Sequence, residues 1–101
     1  KGFKIHALAA MLADKDKAGV FKEVSHLVDE WSLASLSGPR GDTASNLQNA
    51  LHELSHHNTI NSYDSVAQAL NVILPEQQSD TMLIIFGSFF TVAGAINYFK
   101  K

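Results

Sequence analysis

The sequence predicts an α/β domain in three layers, a mostly parallel sheet with helices on both faces. Three observations carry this. Short apolar runs alternate along the chain with segments whose apolar residues recur at helical spacing. The last run, Met82-Leu83-Ile84-Ile85-Phe86, is rich in β-branched and aromatic residues and passes through Gly87-Ser88 directly into a helical pattern. The balance of 46% hydrophobic and 18% charged residues over 101 residues is that of one globular domain.

Residues 4–11 are short, apolar and uncapped, and read as a buried strand. Asp14 or Asp16 then caps a helix over residues 17–28, with Phe21, Val24, Leu27 and Val28 facing inward. Residues 30–36 form a second strand through Trp31 and Leu33, and the breaker-rich residues 37–41 a loop. Thr43 caps a helix to Leu54 whose inner face is Ala44, Leu47, Leu51 and Leu54. Residues 56–62 are polar, with a very short strand near Thr59-Ile60. Ser62 or Asp64 caps a third helix to Leu74, with Val66, Leu70 and Ile73 inward, and Pro75 stops it. After the strand at 82–86, a final helix over 89–99 packs through Val92, Ala93, Ile96 and Phe99. Right-handed crossovers between such strands give a parallel sheet, and ligands collect beyond its carboxyl ends. Any site therefore falls at residues 13–16, 37–40 and 87–88.

The totals exclude several classes. The formal net charge is −2 with no basic run, which argues against nucleic acid and anionic membranes. Cysteine is absent, so there is neither a disulfide framework nor a thiolate metal site, consistent with a cytoplasmic protein. The apolar stretch 82–99 approaches the roughly 18 residues of a membrane span. Gly87, Ser88, Thr91, Gly94 and Asn97 interrupt it, and a buried strand followed by a buried helix explains it at lower polar cost.

The motifs are sparse. His52-Glu53-Leu54-Ser55-His56 matches the H-E-x-x-H zinc pattern, with His57 or Glu76 as a nominal third ligand. On a helical projection, however, both histidines point away from the apolar face. A zinc hydrolase is thus the weaker alternative, and a free-standing binding module another. Arg40-Gly41-Asp42 is an integrin-type tripeptide assigned here to loop and cap, with Asp42 sharing a helix start with Thr43. No phosphate loop and no nucleophile elbow is present. Ser88 reads as a helix N-cap whose hydroxyl and nearby amides could also face an anion. Lys15, Lys17 and Arg40 are the cations at the strand ends.

Met11-Leu12-Ala13-Asp14-Lys15-Asp16, Val28-Asp29-Glu30-Trp31, Gly38-Pro39-Arg40-Gly41, Tyr63-Asp64-Ser65-Val66-Ala67-Gln68-Ala69 and Gly87-Ser88-Phe89-Phe90-Thr91-Val92 together resemble the C-terminal domain of bacterial bifunctional dihydrofolate synthase/folylpolyglutamate synthases, members of the Mur ligase superfamily. The resemblance runs in order over nearly the whole chain. It implies a Rossmann-like domain that lacks its first strand and helix here, and with them the family's Asp-Gly-Ala-His-Asn-type nucleotide motif. It implies an enzyme using ATP and Mg2+ to phosphorylate a pteroate or folate carboxylate, which the amino group of L-glutamate then attacks. The P-loop and metal ligands belong to an N-terminal domain, so this piece alone is expected to be inactive and to bind no cofactor. By the same resemblance Ser88 faces the glutamate side of the cleft, and Lys15, Asp16 and Arg40 lie at a closure rim. Phe90 stands where relatives carry His.

Overall fold

The computed structural model describes residues 2–54 and 59–100, omitting the side chains of Phe89 and Phe90. In chain order these residues form β1 (Lys4–Ala9), α1 (Lys17–Val24), β2 (Glu30–Ala34), α2 (Ala44–Glu53), β3 (Thr59–Tyr63), α3 (Val66–Ile73), β4 (Thr81–Phe86) and α4 (Phe89–Phe99). The four strands make one sheet in the order β3-β2-β1-β4, every pairing parallel. The expected three-layer α/β architecture is present.

Alternation along the strands separates two cores. Ala7, Ala9 and Met11 join Trp31 and Leu33 under α1 and α2, around Phe21, Leu47 and Leu51. Leu8, Ala10 and Ala34 face the other way and meet Val66, Ala69, Leu70 and Ile73 of α3 and Ala95 of α4. Trp31 is fully buried, with the rings of Phe21 at 5.0 Å and Phe86 at 6.1 Å, both edge-to-face. Such pairs add about 0.5–1.5 kcal/mol beyond the area they bury.

Several expectations are corrected. β1 and β2 stop at Ala9 and Ala34, because beyond them the chains diverge into loops joined by the isolated Leu12–Gly41 bridge. The first helix ends at Val24 and continues as a 3-10 turn, Ser25–Leu27, which turns Leu27 into solvent at 50% exposure while Val28 stays buried. β3 is a full five-residue strand, since Glu30 through Ala34 offer it a complete partner ladder. Ser65 caps α3, accepting from the Gln68 amide, instead of Ser62, which lies in β3, or Asp64.

The largest correction is α4. Among its described side chains Thr91 and Ala95 are buried, whereas Val92, Ile96 and Phe99 are 42%, 49% and 58% exposed. Ala95 packs with Val66, Ala69 and Leu70 of α3 and Thr91 bonds the Ala10 carbonyl, which leaves the larger apolar stripe outside. On β4, Met82 and Ile84 are likewise exposed, on the face opposite α3 and α4. No described helix is long and apolar enough to cross a membrane.

Candidate functional site

The carboxyl ends of the strands carry four capped helix starts, that of α3 at Ser65 among them. Asp16 caps α1, its carboxylate accepting from the Gly19 amide. Thr43 caps α2 through the Asn46 amide. Ser88 caps α4, its Oγ accepting from the Thr91 amide at 3.2 Å and lying 3.0 Å from Thr91 Oγ1. The Thr91 hydroxyl in turn donates to the Ala10 carbonyl, tying α4 to the end of β1. Gly87 makes this turn possible. Its φ is +135°, and a Cβ there would stand 2.0 Å from the Ala10 oxygen.

The β1–α1 and β2–α2 loops are stitched side by side. The Ala13 amide donates to the Arg40 carbonyl and the Asp42 amide to that of Met11. Arg40 Nη2 lies 3.2 Å from Asp14 Oδ2, both side chains being 71% exposed. This pair is solvated and contributes little to stability. Lys15 is exposed on the same rim.

Beneath the rim lies a pair that the sequence reading missed. Asp42 is 4% exposed; its Oδ2 is 2.9 Å from Lys17 Nζ and its Oδ1 accepts from the Thr43 amide and Asn46 Nδ2. Burial pushes the Asp42 carboxyl up, but hydrogen bonds from Lys17, Asn46 and Thr43, with the Lys17 charge, outweigh it and hold it below its ordinary value. Lys17 is therefore committed to the scaffold and not to the rim. The Arg40-Gly41-Asp42 tripeptide is no exposed recognition loop, because its acid is inside. The Asp42/Asn46 spacing, one turn apart at a helix start, was the available signal.

Beside the rim opens a cavity of about 580 Å3, walled by the β2–α2 loop including Arg40, the start of α3 at Asp64–Ser65, and Ala93, Gly94 and Asn97 of α4. The expected site residues Lys15, Asp16, Arg40 and Ser88 thus all sit at the carboxyl end of the sheet. Arg40 lines the cavity, whereas Lys15, Asp16 and Ser88 do not. His52 and Glu53 are exposed at the end of α2; His56 and His57 lie outside the described residues. Among the described residues no group of three or more His, Asp or Glu is placed to hold a metal.

A parallel sheet wound on both faces, with a cleft beyond its carboxyl ends, defines the class of doubly wound α/β ligand-binding domains. Comparison with known proteins narrows this. No family model matches the chain. It is 39% identical over 93 residues to the dihydrofolate synthase/folylpolyglutamate synthase of Escherichia coli, covering 92% of the chain and 21% of that protein. The solved structure of E. coli FolC with DHPP and ADP superposes with a TM-score of 0.87 at 36% identity, over 99% of the chain and 23% of that protein. A bifunctional folylpolyglutamate synthase/dihydrofolate synthase solved with Mn, AMPPNP and L-glutamate gives 0.80 at 31% identity, over 98% and 23%. Along almost its whole length the chain matches the C-terminal part of dihydrofolate synthase/folylpolyglutamate synthases, members of the Mur ligase superfamily. It spans about a fifth of the length of those curated relatives.

Proposed function

We propose that this chain is the closing C-terminal domain of an ATP-dependent ligase that adds L-glutamate to dihydropteroate or folate. The observation that carries the reading is agreement with these ligases in sequence and fold along almost the entire chain. In the reaction, a folate carboxylate oxygen takes the γ-phosphoryl group of ATP, releasing ADP and giving an acyl phosphate. The glutamate amine then attacks the carbonyl carbon, phosphate leaves with the C–O bond pair, and the amine loses a proton. Mg2+ and the triphosphate are held by an N-terminal P-loop domain of the same longer polypeptide, in the cytoplasm. Ser88 stands on the glutamate side; Lys15, Asp16 and Arg40 form the rim that meets that domain on closure.

A domain lacking its first strand and helix is supported by the surface that β4 leaves open. The steps β1 to β2 and β2 to β3 run in one direction with α1 and α2 on one face. The step β3 to β4 runs back with α3 on the other. A strand pairing with the free edge of β4 and leading into β1 steps in the first direction. Right-handedness puts its helix on the α1 side, over Met82 and Ile84. Those are the residues of β4 that are uncovered.

The test is steady-state kinetics on the full-length ligase. Ser88→Ala should raise the KM for glutamate more than the KM for ATP, and an unchanged glutamate KM removes Ser88 from the site. Arg40→Ala should lower kcat if the rim aids closure. The isolated chain should neither hydrolyse ATP nor ligate glutamate; measurable turnover by it would overturn the closing-domain reading.

A further inference from the structure

Parallel sheets are normally apolar on both faces, but the amino-terminal half of this sheet, on the α3 side, is not. His6, Glu30, Ser32, Asn61 and Thr81 lie there across four strands. His6 is 7% exposed, and its Nε2 is 2.7 Å from the fully buried Ser32 Oγ. Its Nδ1 has no hydrogen-bond partner among the described residues; the nearest charged atom is Glu30 Oε1 at 3.9 Å. The other Glu30 oxygen accepts from Asn61 Nδ2 at 3.2 Å. His6 and Glu30 line a cavity of about 390 Å3 whose other walls include Val72, Ile73 and Glu76.

The chemistry of this cavity is selective. Its charged groups are Glu30 and Glu76, with Asp29 and Lys4 in a smaller chamber that shares His6 and Glu30. Burial disfavours the charged form of His6 more than Glu30 favours it, so the imidazole is neutral near pH 7. Ser32 can accept from Nε2–H, leaving Nδ1 a lone pair. Two acceptors 3.9 Å apart are then spanned by a single nitrogen about 2.9 Å from each. Too few ligands converge for a divalent metal, and the acids repel anions. The apolar wall accommodates a hydrocarbon chain.

We infer that this end of the sheet is a second ligand site, taking a primary ammonium group on a short aliphatic chain between Glu30 and His6. It is independent of the ligase reading, since it lies at the opposite end of the sheet from the rim.

Butylammonium chloride is the probe, added to the full-length polypeptide that carries this chain and followed by the His6 Cε1–H resonance. The expected result is a saturable shift, weakening as pH falls and His6 charges. Glu30→Gln should weaken it about tenfold, and tetramethylammonium, of equal charge but without N–H donors, should not reproduce it. Glu76 is exposed, so Glu76→Gln keeps the fold and should cost about two- to threefold. An equal response in E30Q and E76Q, an equal response to tetramethylammonium, or no saturable shift overturns the site.

Discussion

β1 and β4 are neighbours paired over six residues, and both are mostly apolar, yet their surroundings differ sharply. From Ala7 onward β1 is buried on both faces. β4 is only partly buried, through Leu83 and Ile85 on the face toward α3 and α4 and Phe86 against Trp31 on the other, where Met82 and Ile84 stay open. The run Met82-Leu83-Ile84-Ile85-Phe86 has the continuous apolar character of an interior strand but occupies an edge. Hydrophobicity thus records what a strand is suited to, and the contacts available in the fold decide how much of that suitability is used.

The sharpest way to break the comparison is at the junction of the two strands. Gly87→Ala puts a methyl group into the Ala10 carbonyl at a backbone angle that alanine avoids. The expected loss is about 3–5 kcal/mol in urea unfolding of the 101-residue chain; a loss under 1 kcal/mol would show that the turn rearranges freely. Trp31→Ala, between the Phe21 and Phe86 rings, should cost about 3–5 kcal/mol. Asp42→Ala leaves the Lys17 ammonium without its partner. Since Lys17 is 26% exposed, the cost should be nearer 2 kcal/mol than that of a fully buried pair.

Acid should destabilise the fold in two stages. The folded-state pKa of His6 is below 6.5, so its neutral form is favoured on folding. That stability is complete above pH 6.5 and is lost as pH falls from there toward the folded value. Asp42 is also lowered, and its contribution is lost below about pH 4. In His6→Gln the first stage should vanish from a plot of unfolding free energy against pH, while the second remains. The smallest effect belongs to the open face of β4: Ile84→Thr should cost under about 1 kcal/mol in the isolated chain. If, as proposed, a further strand and helix cover that face in a longer polypeptide, the same change should cost more there, and equal costs would leave the face uncovered in both.

Element type and order were legible because periodicity, caps and breakers are local. Thr43, Ser88, Leu47 and Leu51 stand where their spacing put them. That Lys15, Asp16 and Arg40 lie at one end of the sheet was legible because parallel topology gathers the loops after the strands there. The inner face of α4 was misread because Val92, Ile96 and Phe99 form the more apolar stripe, but Ala95 packs in the α3 core and Thr91 bonds the Ala10 carbonyl. The Lys17–Asp42 pair joins two loops, and His6, Ser32, Glu30 and Asn61 meet across three strands. No spacing along the chain encodes either cluster.

By itself the sequence determined which segments are strands and which are helices, and most of their starts though not that of α3, because those choices depend on neighbours a few residues apart. Only the tertiary structure decided the strand order, the face each helix buries and which polar groups end up in contact. Those depend on register between distant segments, where a one-residue shift moves every side chain to the opposite face of the sheet.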